Sequence, residues 1–188
     1  MTSAWTGHLV RLRAAEPEDW TAFAAYAEYT DDERNGWRLA PPVSAERTRR
    51  RMQELAETDP DLDVFELVIA TLADNTPVGT VNTTSVEPEH GLFSYGVGVG
   101  RPHQRKGYAA DAIVVLLRYM FGERRFQKCD VRVYGVNEGS QALHRRLGFV
   151  EEGRLRRSRY AGGRYDDILL FGITVEEFSA RHGLAGPR

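Results

Sequence analysis

The chain is poor in cysteine and in lysine. Cys129 is the one cysteine in 188 residues, so no internal disulfide can form. That excludes a disulfide-stapled secreted scaffold and suits a reducing cytoplasm. Of the 25 basic residues only Lys106 and Lys128 are lysine, the rest being arginine. No hydrophobic run approaches the roughly 20 residues of a membrane span. The opening stretch, MTSAWTGHLVRLRAAEPEDW, has charges where a signal peptide needs an apolar core. A basic excess is also missing: 25 Lys+Arg against 27 Asp+Glu leave a formal charge of −2, which speaks against a dedicated nucleic-acid binder. No histidine pair has metal-ligand spacing, so no metal is expected. Repeats, low-complexity tracts and linkers are absent too. What is present, 41% hydrophobic content in 188 residues, is enough for one core and predicts a single domain over residues 1–188.

Periodicity then orders the elements. His8 to Arg13 alternates as a half-buried strand does, and Glu16-Pro17-Glu18-Asp19 suits a helix start. Trp20, Phe23, Ala24 and Ala27 continue that helix, and Ser44 can cap a second one reaching about Glu57 with Met52, Leu55 and Ala56 inward. Phe65–Leu72, Pro77–Val86 and Gly91–Gly100 read as three strands, the first two joined by the turn-forming Asp74-Asn75-Thr76-Pro77. Ala109 to Phe121 carries the apolar face of a helix, Cys129 to Tyr134 alternates as a strand, and Asn137 to Leu147 is a short helix ended by Gly148. A hairpin turns at Gly162-Gly163, and Thr174 with Glu177 forms a capping box for a last helix. The fold class is mixed α/β.

The segment from Tyr95 to Ala109 carries the most chemistry. It runs from a glycine-containing strand through a basic loop into an apolar helix, and the N–H groups of such a helix start attract anions. The dinucleotide fingerprint GxGxxG fails because His103 stands where the third glycine belongs, and the P-loop fails because Lys106 precedes Gly107. The pattern Gln/Arg-x-x-Gly-x-Gly/Ala is matched by Gln104-Arg105-Lys106-Gly107-Tyr108-Ala109.

Here the chain resembles the GCN5-related N-acetyltransferase superfamily over about residues 8 to 175. Asn137-x-x-Ser140-x-x-Leu143-His144-x-x-Leu147-Gly148-Phe149 resembles that family's helix after the fifth strand. The Gly163-Arg164-Tyr165-x-Asp167 hairpin resembles the branch with ribosomal-protein and spermidine acetyltransferases. The resemblance implies a mixed sheet of about seven strands, antiparallel in its N-terminal part, splayed between the fourth and fifth strands, with helices on both faces. It implies an acyl-CoA-dependent N-acyltransferase, most simply with acetyl-CoA, acting by direct attack of a primary amine in a ternary complex. Val97 and Val99 would contact the pantetheine arm through their backbones. Gln104, Arg105, Lys106, Gly107, Tyr108 and Ala109 would hold the pyrophosphate, and Asn137 and Ser140 would complete the cofactor site. The acceptor is a small-molecule amine or a protein N-terminal amine, and a homodimer is the default for relatives.

Several positions keep two readings. The glycines at 96, 98 and 100 mark either close backbone packing or ligand approach. Asn137 can be a helix cap, a cofactor contact or both. Ser140 and His144 share one helix face. Ser140 ranks first and His144 second as partner of the leaving thiolate, and the competing reading of His144 is a surface histidine. Cys129 reads as a packing residue. Arginines at 154, 156, 157, 159 and 164 make a solvated or dimer-facing edge, or an anion site. Glu28, Asp31, Asp32 and Glu33 make a plain acidic loop or attract a cationic substrate. Where many relatives carry a carboxylate base on the third or fourth strand, this chain has Thr80 to Ser85 and Phe93 to Tyr95, without one. That departure keeps a second reading open, a catalytically weak or sensory CoA-binding protein.

Overall fold

The computed structural model describes residues 3–30 and 39–184. Strand β1 (Val10–Arg13) is followed by a 3-10 turn (Pro17–Asp19) and helices α1 (Trp20–Tyr26) and α2 (Ala45–Glu57). Strands β2 (Glu66–Thr71), β3 (Pro77–Glu87) and β4 (Leu92–Val99) come next, then a 3-10 turn (Arg101–His103) and α3 (Tyr108–Gly122). The chain closes with β5 (Lys128–Tyr134), α4 (Glu138–Leu147), β6 (Val150–Ala161), β7 (Arg164–Thr174) and α5 (Val175–His182). The seven strands form one sheet in the order β1-β2-β3-β4-β5-β7-β6. All neighbours are antiparallel except β4 and β5. The mixed α/β class and the expected order of elements are thus both found.

Local chemistry accounts for the boundaries. Ser44 caps α2 by accepting from the Arg47 N–H, and Thr174 and Glu177 form the reciprocal box that starts α5. Gly148 ends α4 in the left-handed conformation at φ 101°. The first strand is shorter than the alternation of His8–Arg13 suggests, starting at Val10, and the N–H groups of His8, Leu9 and Val10 do not donate to β2. They donate instead to the Asp111 carboxylate, at 3.0, 2.7 and 2.9 Å. Gly7 is required beside this clamp, since a Cβ there would collide with the same carboxylate. Asp111 lies in the first turn of α3, so one side chain fixes the N-terminal strand to the start of that helix.

The core sits between the sheet and α3. Ala112, Ile113, Leu116, Leu117 and Met120 are fully buried against Phe93, Val81, Cys129 and Val131. Each such aliphatic or aromatic side chain contributes about 1.5–3 kcal/mol of transfer free energy. A smaller cluster on the other face joins Met52 of α2 and Trp20 and Phe23 of α1 to Val68. Helices therefore cover both faces, α3 one and α1–α2 the other. Cys129 is buried, and loss of solvent pushes its thiol well above the ordinary range, so it packs as a small apolar residue.

Asp111→Ala removes the acceptor of three backbone N–H groups. It should cost about 2 kcal/mol, or roughly 5 °C in Tm for a domain of this size. Thermal unfolding of the variant checks this, and an unchanged Tm excludes the clamp as a stabilising feature.

Candidate functional site

Pairing between β4 and β5 is confined to Leu92↔Lys128 and Phe93↔Cys129. Beyond those residues the strands separate, and a cleft of about 1230 Å³ opens between them. The register with β3 fixes which β4 groups face it. The Gly100 N–H donates to the Val78 carbonyl at 2.9 Å, so Gly98 and Gly96 are also hydrogen-bonded partners of β3. By alternation the backbone groups of Tyr95, Val97 and Val99 point away from β3 and towards the gap. Val97 and Val99, the two residues expected to meet a ligand through their backbones, thus have the required orientation. The Val99 carbonyl accepts from the Gln104 side-chain amide at 3.0 Å, which ties the strand end to the following loop.

The glycines at 96, 98 and 100 prove to have different causes. A Cβ at Gly96 would meet the Asn82 side-chain oxygen at 2.7 Å, and one at Gly100 would meet the Tyr26 ring at 2.6 Å. Gly100 is a packing glycine against that ring, whereas Gly96 lines the cleft beside the Asn82 amide. Nothing lies within 4 Å of the same position at Gly98, which lines the cleft.

Past the end of β4 the loop turns sharply into α3. Arg105 has φ 63° and Gly107 φ 88°, both left-handed. Gly107 is the N-cap of α3 and brings no capping side chain. The N–H groups of Tyr108, Ala109 and Ala110 therefore open the helix without an intrahelical acceptor. The Gln104 N–H is already used, donating to the Arg101 carbonyl at 3.3 Å. Asp111, the acidic residue of the first turn, directs its carboxylate to the β1 backbone, leaving the positive helix end to Arg105, Lys106 and the bare amides.

The other wall is the start of α4. The Asn137 side-chain oxygen accepts from the Ser140 N–H at 3.0 Å, so Asn137 caps this helix as one of its two readings holds. The surface reading of His144 is corrected: the side chain is 3% exposed. Its ring is enclosed by Tyr95, Phe149 and Phe171. The Tyr95 hydroxyl lies 2.9 Å from His144 Nε2, while His144 Nδ1 lies 2.7 Å from the Ser140 carbonyl and 3.3 Å from Ser140 Oγ. A carbonyl only accepts, so Nδ1 carries the proton, and Nε2 accepts from the Tyr95 hydroxyl. Burial lowers the pKa of His144 and raises that of Tyr95 far above its usual range, and the ring is held neutral. The pairing of Tyr95 with His144, 49 residues later, was not legible in the sequence.

Side chains on the sheet face opposite α3 line the same cleft: Asn82, Ser94, Asp130, Arg132, Tyr134 and Glu152. Arg159 joins them, its guanidinium 3.8 Å from the centre of the Tyr134 ring. Lys128 forms an ion pair with Glu152 at 2.7 Å. The other hairpin arginines divide. Arg154 is paired with Glu151 and Asp167, Arg157 lies over Tyr165, and Arg164 is exposed. Of the acidic stretch, Glu28 is exposed, and Asp31, Asp32 and Glu33 lie outside the described residues. Among the described residues no cluster of His, Cys, Asp and Glu could hold a metal, and no helix is long and apolar enough to cross a membrane.

Comparison with known proteins agrees with this geometry. Residues 10–150 match the acetyltransferase (GNAT) domain family. The SPbeta prophage-derived uncharacterized N-acetyltransferase YokL of Bacillus subtilis is 39% identical over 181 residues, covering 95% of this chain and 97% of that protein. The ribosomal-protein-serine acetyltransferase of Escherichia coli K12 is 21% identical over 99 residues, covering 53% of this chain and 55% of that one. Among solved structures, spermidine N-acetyltransferase from Vibrio cholerae, in complex with CoA and spermine, superposes with a TM-score of 0.75. It shares 22% identity, over 90% of this chain and 97% of that chain. A sheet split between parallel β4 and β5, an anion-facing turn before α3 and a match over three quarters of the chain have one explanation: the protein belongs to the GNAT acetyltransferase family.

Proposed function

We propose that this protein transfers an acetyl group from acetyl-CoA to a primary amine in a ternary complex, with no covalent enzyme intermediate. The observation that carries the reading is the splay of β4 from β5, which turns the backbone of Val97 and Val99 into an open edge ending at the Gly107 turn. That edge fits an extended amide-bearing chain such as pantetheine, which can add to it as a strand would. The turn fits a pyrophosphate, through the N–H groups of Tyr108 and Ala109 with Arg105 and Lys106 alongside and Gln104 bracing the loop. Asn137 and Ser140 border the same cleft where the two strands are farthest from pairing. When bound, acetyl-CoA supplies a thioester carbonyl carbon open to attack by an amine.

The chain's own groups then have distinct tasks. Ser140 is the hydroxyl that hydrogen-bonds the leaving sulfur and stabilises its developing charge. His144 does not donate into the cleft, because one ring nitrogen serves the Ser140 carbonyl and the other accepts from Tyr95. It is a positioning residue that fixes the helix turn bearing Ser140. The acceptor is a small-molecule amine or a protein N-terminal amine, in line with relatives named for spermidine and ribosomal protein. A single buried thiol suits a reducing cytoplasm, and a homodimer with one domain per chain is the simplest assembly.

Isothermal titration with acetyl-CoA should show saturable binding, and a mixed amine panel should be acetylated. No binding at millimolar concentration overturns the reading. Gly107→Asp introduces a side chain 3.1 Å from Leu9 at φ 88° and a negative charge facing the phosphates. It should weaken acetyl-CoA binding by 100-fold or more, on the order of 3 kcal/mol, and retained affinity removes the anion site from this turn. Ser140→Ala should lower kcat about tenfold or more, and unchanged turnover takes Ser140 out of the mechanism.

His144 also couples stability to pH. The unfolded imidazole protonates near 6.5 and the buried one only at lower pH. In that window the unfolded state binds more protons, so stability is full above 6.5 and declines as pH falls through the folded value. Tm measured from pH 7.5 to 5 should drop more steeply for the wild type than for His144→Gln. Parallel curves exclude a neutral buried histidine.

A further inference from the structure

Asp130 has no role in the cofactor site, yet it stands at the apex of the splay. The register of β4 with β5 runs Leu92↔Lys128 and Phe93↔Cys129 and stops. Asp130 is therefore level with Ser94, the first β4 residue beyond the pairing. Cys129 and Phe93 are buried on the α3 side, so alternation turns Asp130 and Ser94 to the opposite face, where both line the cleft with Asn82 and Gly96. Across this face β3 and β4 offer amide, hydroxyl and glycine positions in the depth of the cleft, and the acidic Glu87 only at the far end of β3.

The neighbouring charges leave Asp130 as the available carboxylate. Lys128, two residues earlier on the same face, is engaged by Glu152 at 2.7 Å. Glu152 folds over Gly172, the cross-strand partner of Asp130, where a Cβ would collide with it. Arg132 lies two residues further along β5, also lining the cleft. Among the described residues no cation is within ion-pair distance of Asp130. Its carboxyl is exposed to the cleft but partly stripped of solvent by the walls, which raises its pKa. Glu152 adds to that rise, and Lys128 and Arg132 oppose it.

We propose that Asp130 is the general base that accepts the proton of the acceptor amine, a role that rests on the acetyltransferase reading above. The amine nitrogen forms its bond to the thioester carbonyl carbon and the carbon–sulfur bond breaks. Sulfur leaves as thiolate, hydrogen-bonded by Ser140, and takes its proton from solvent. The N–H proton of the acceptor passes to the Asp130 carboxylate, directly or through one water, and from there to solvent. A carboxylate on β5 thus replaces one on β3 or β4. The partial desolvation of Asp130 makes it a better base than an ordinary surface carboxylate.

The test uses the full chain, acetyl-CoA, and spermidine, a serine-terminated tetrapeptide and concentrated methylamine as probes. Asp130→Asn and Asp130→Ala should lower kcat about 100-fold while the calorimetric dissociation constant for acetyl-CoA and the Tm stay within twofold and 2 °C of wild type, about the precision of such comparisons. Asp130→Glu should recover most of the rate, and formate should partly restore the Ala variant. The acid side of the wild-type kcat profile should be lost in Asp130→Asn. Unchanged kcat, a loss confined to KM, or a loss that neither Glu nor formate repairs overturns the assignment while leaving the acetyltransferase intact. A wild type that binds acetyl-CoA but acetylates none of the three amines also overturns it. A wild type that does not bind acetyl-CoA overturns the underlying function instead.

Discussion

The divergence of β4 from β5 is the constraint on which the rest of the molecule depends. A parallel pair that continued past Phe93 and Cys129 would satisfy its own backbone groups and close the cleft. The buried rings of Tyr95 and His144 line one side of the gap. Tyr95 from β4 and His144 from α4 lie nearly parallel at 6.0 Å, with Phe149 edge-on to the imidazole at 5.0 Å and Phe171 behind it. The hydrogen bond between Tyr95 and His144 lets two polar side chains pack in a buried place without an unmet donor or acceptor among the described residues. The pair ties β4 to the α4 turn that bears Ser140.

The two sides of the gap differ in polarity. Towards α3 it is closed by apolar and aromatic side chains, and past the end of β4 lie backbone amides with positive charge alongside. Towards the opposite face it presents carboxylates, guanidinium groups and amides. Asp111 contributes to this separation. By spending its charge on the β1 amides, it removes the one acidic side chain of the α3 first turn from competition with a bound phosphate.

Much of this was legible from residue patterns. Caps such as Ser44 and Thr174, the Gly162-Gly163 turn and the apolar face of Ala109 to Phe121 are local signals, and local signals fix elements well. The basic loop before α3 was legible because a helix start and a glycine are contiguous in the chain. What sequence could not supply was juxtaposition. His144 looks like any polar residue on a short amphipathic helix, and only packing against Tyr95 and Phe171 shows it to be buried. Asp130 reads as the polar alternate of a half-buried strand. Its place at the point of divergence depends on where the β4–β5 pairing ends, which no single segment encodes. Gly7 gives no hint of its need, which arises from a carboxylate 104 positions away.

The scarcity of lysine takes on a meaning beside the ion pair between Lys128 and Glu152. An enzyme that acylates amines presents its own side chains to its own bound thioester, and guanidinium groups are poor targets for that chemistry. With arginine in nearly every basic position, the lysine amines reduce to Lys106 in the loop before α3 and Lys128 in the cleft wall. The second lies on the cleft face of β5, and Glu152 holds it at 2.7 Å with its nitrogen occupied. The protein thus offers few lysines for self-modification, and the one in the cleft wall is restrained by a carboxylate of β6.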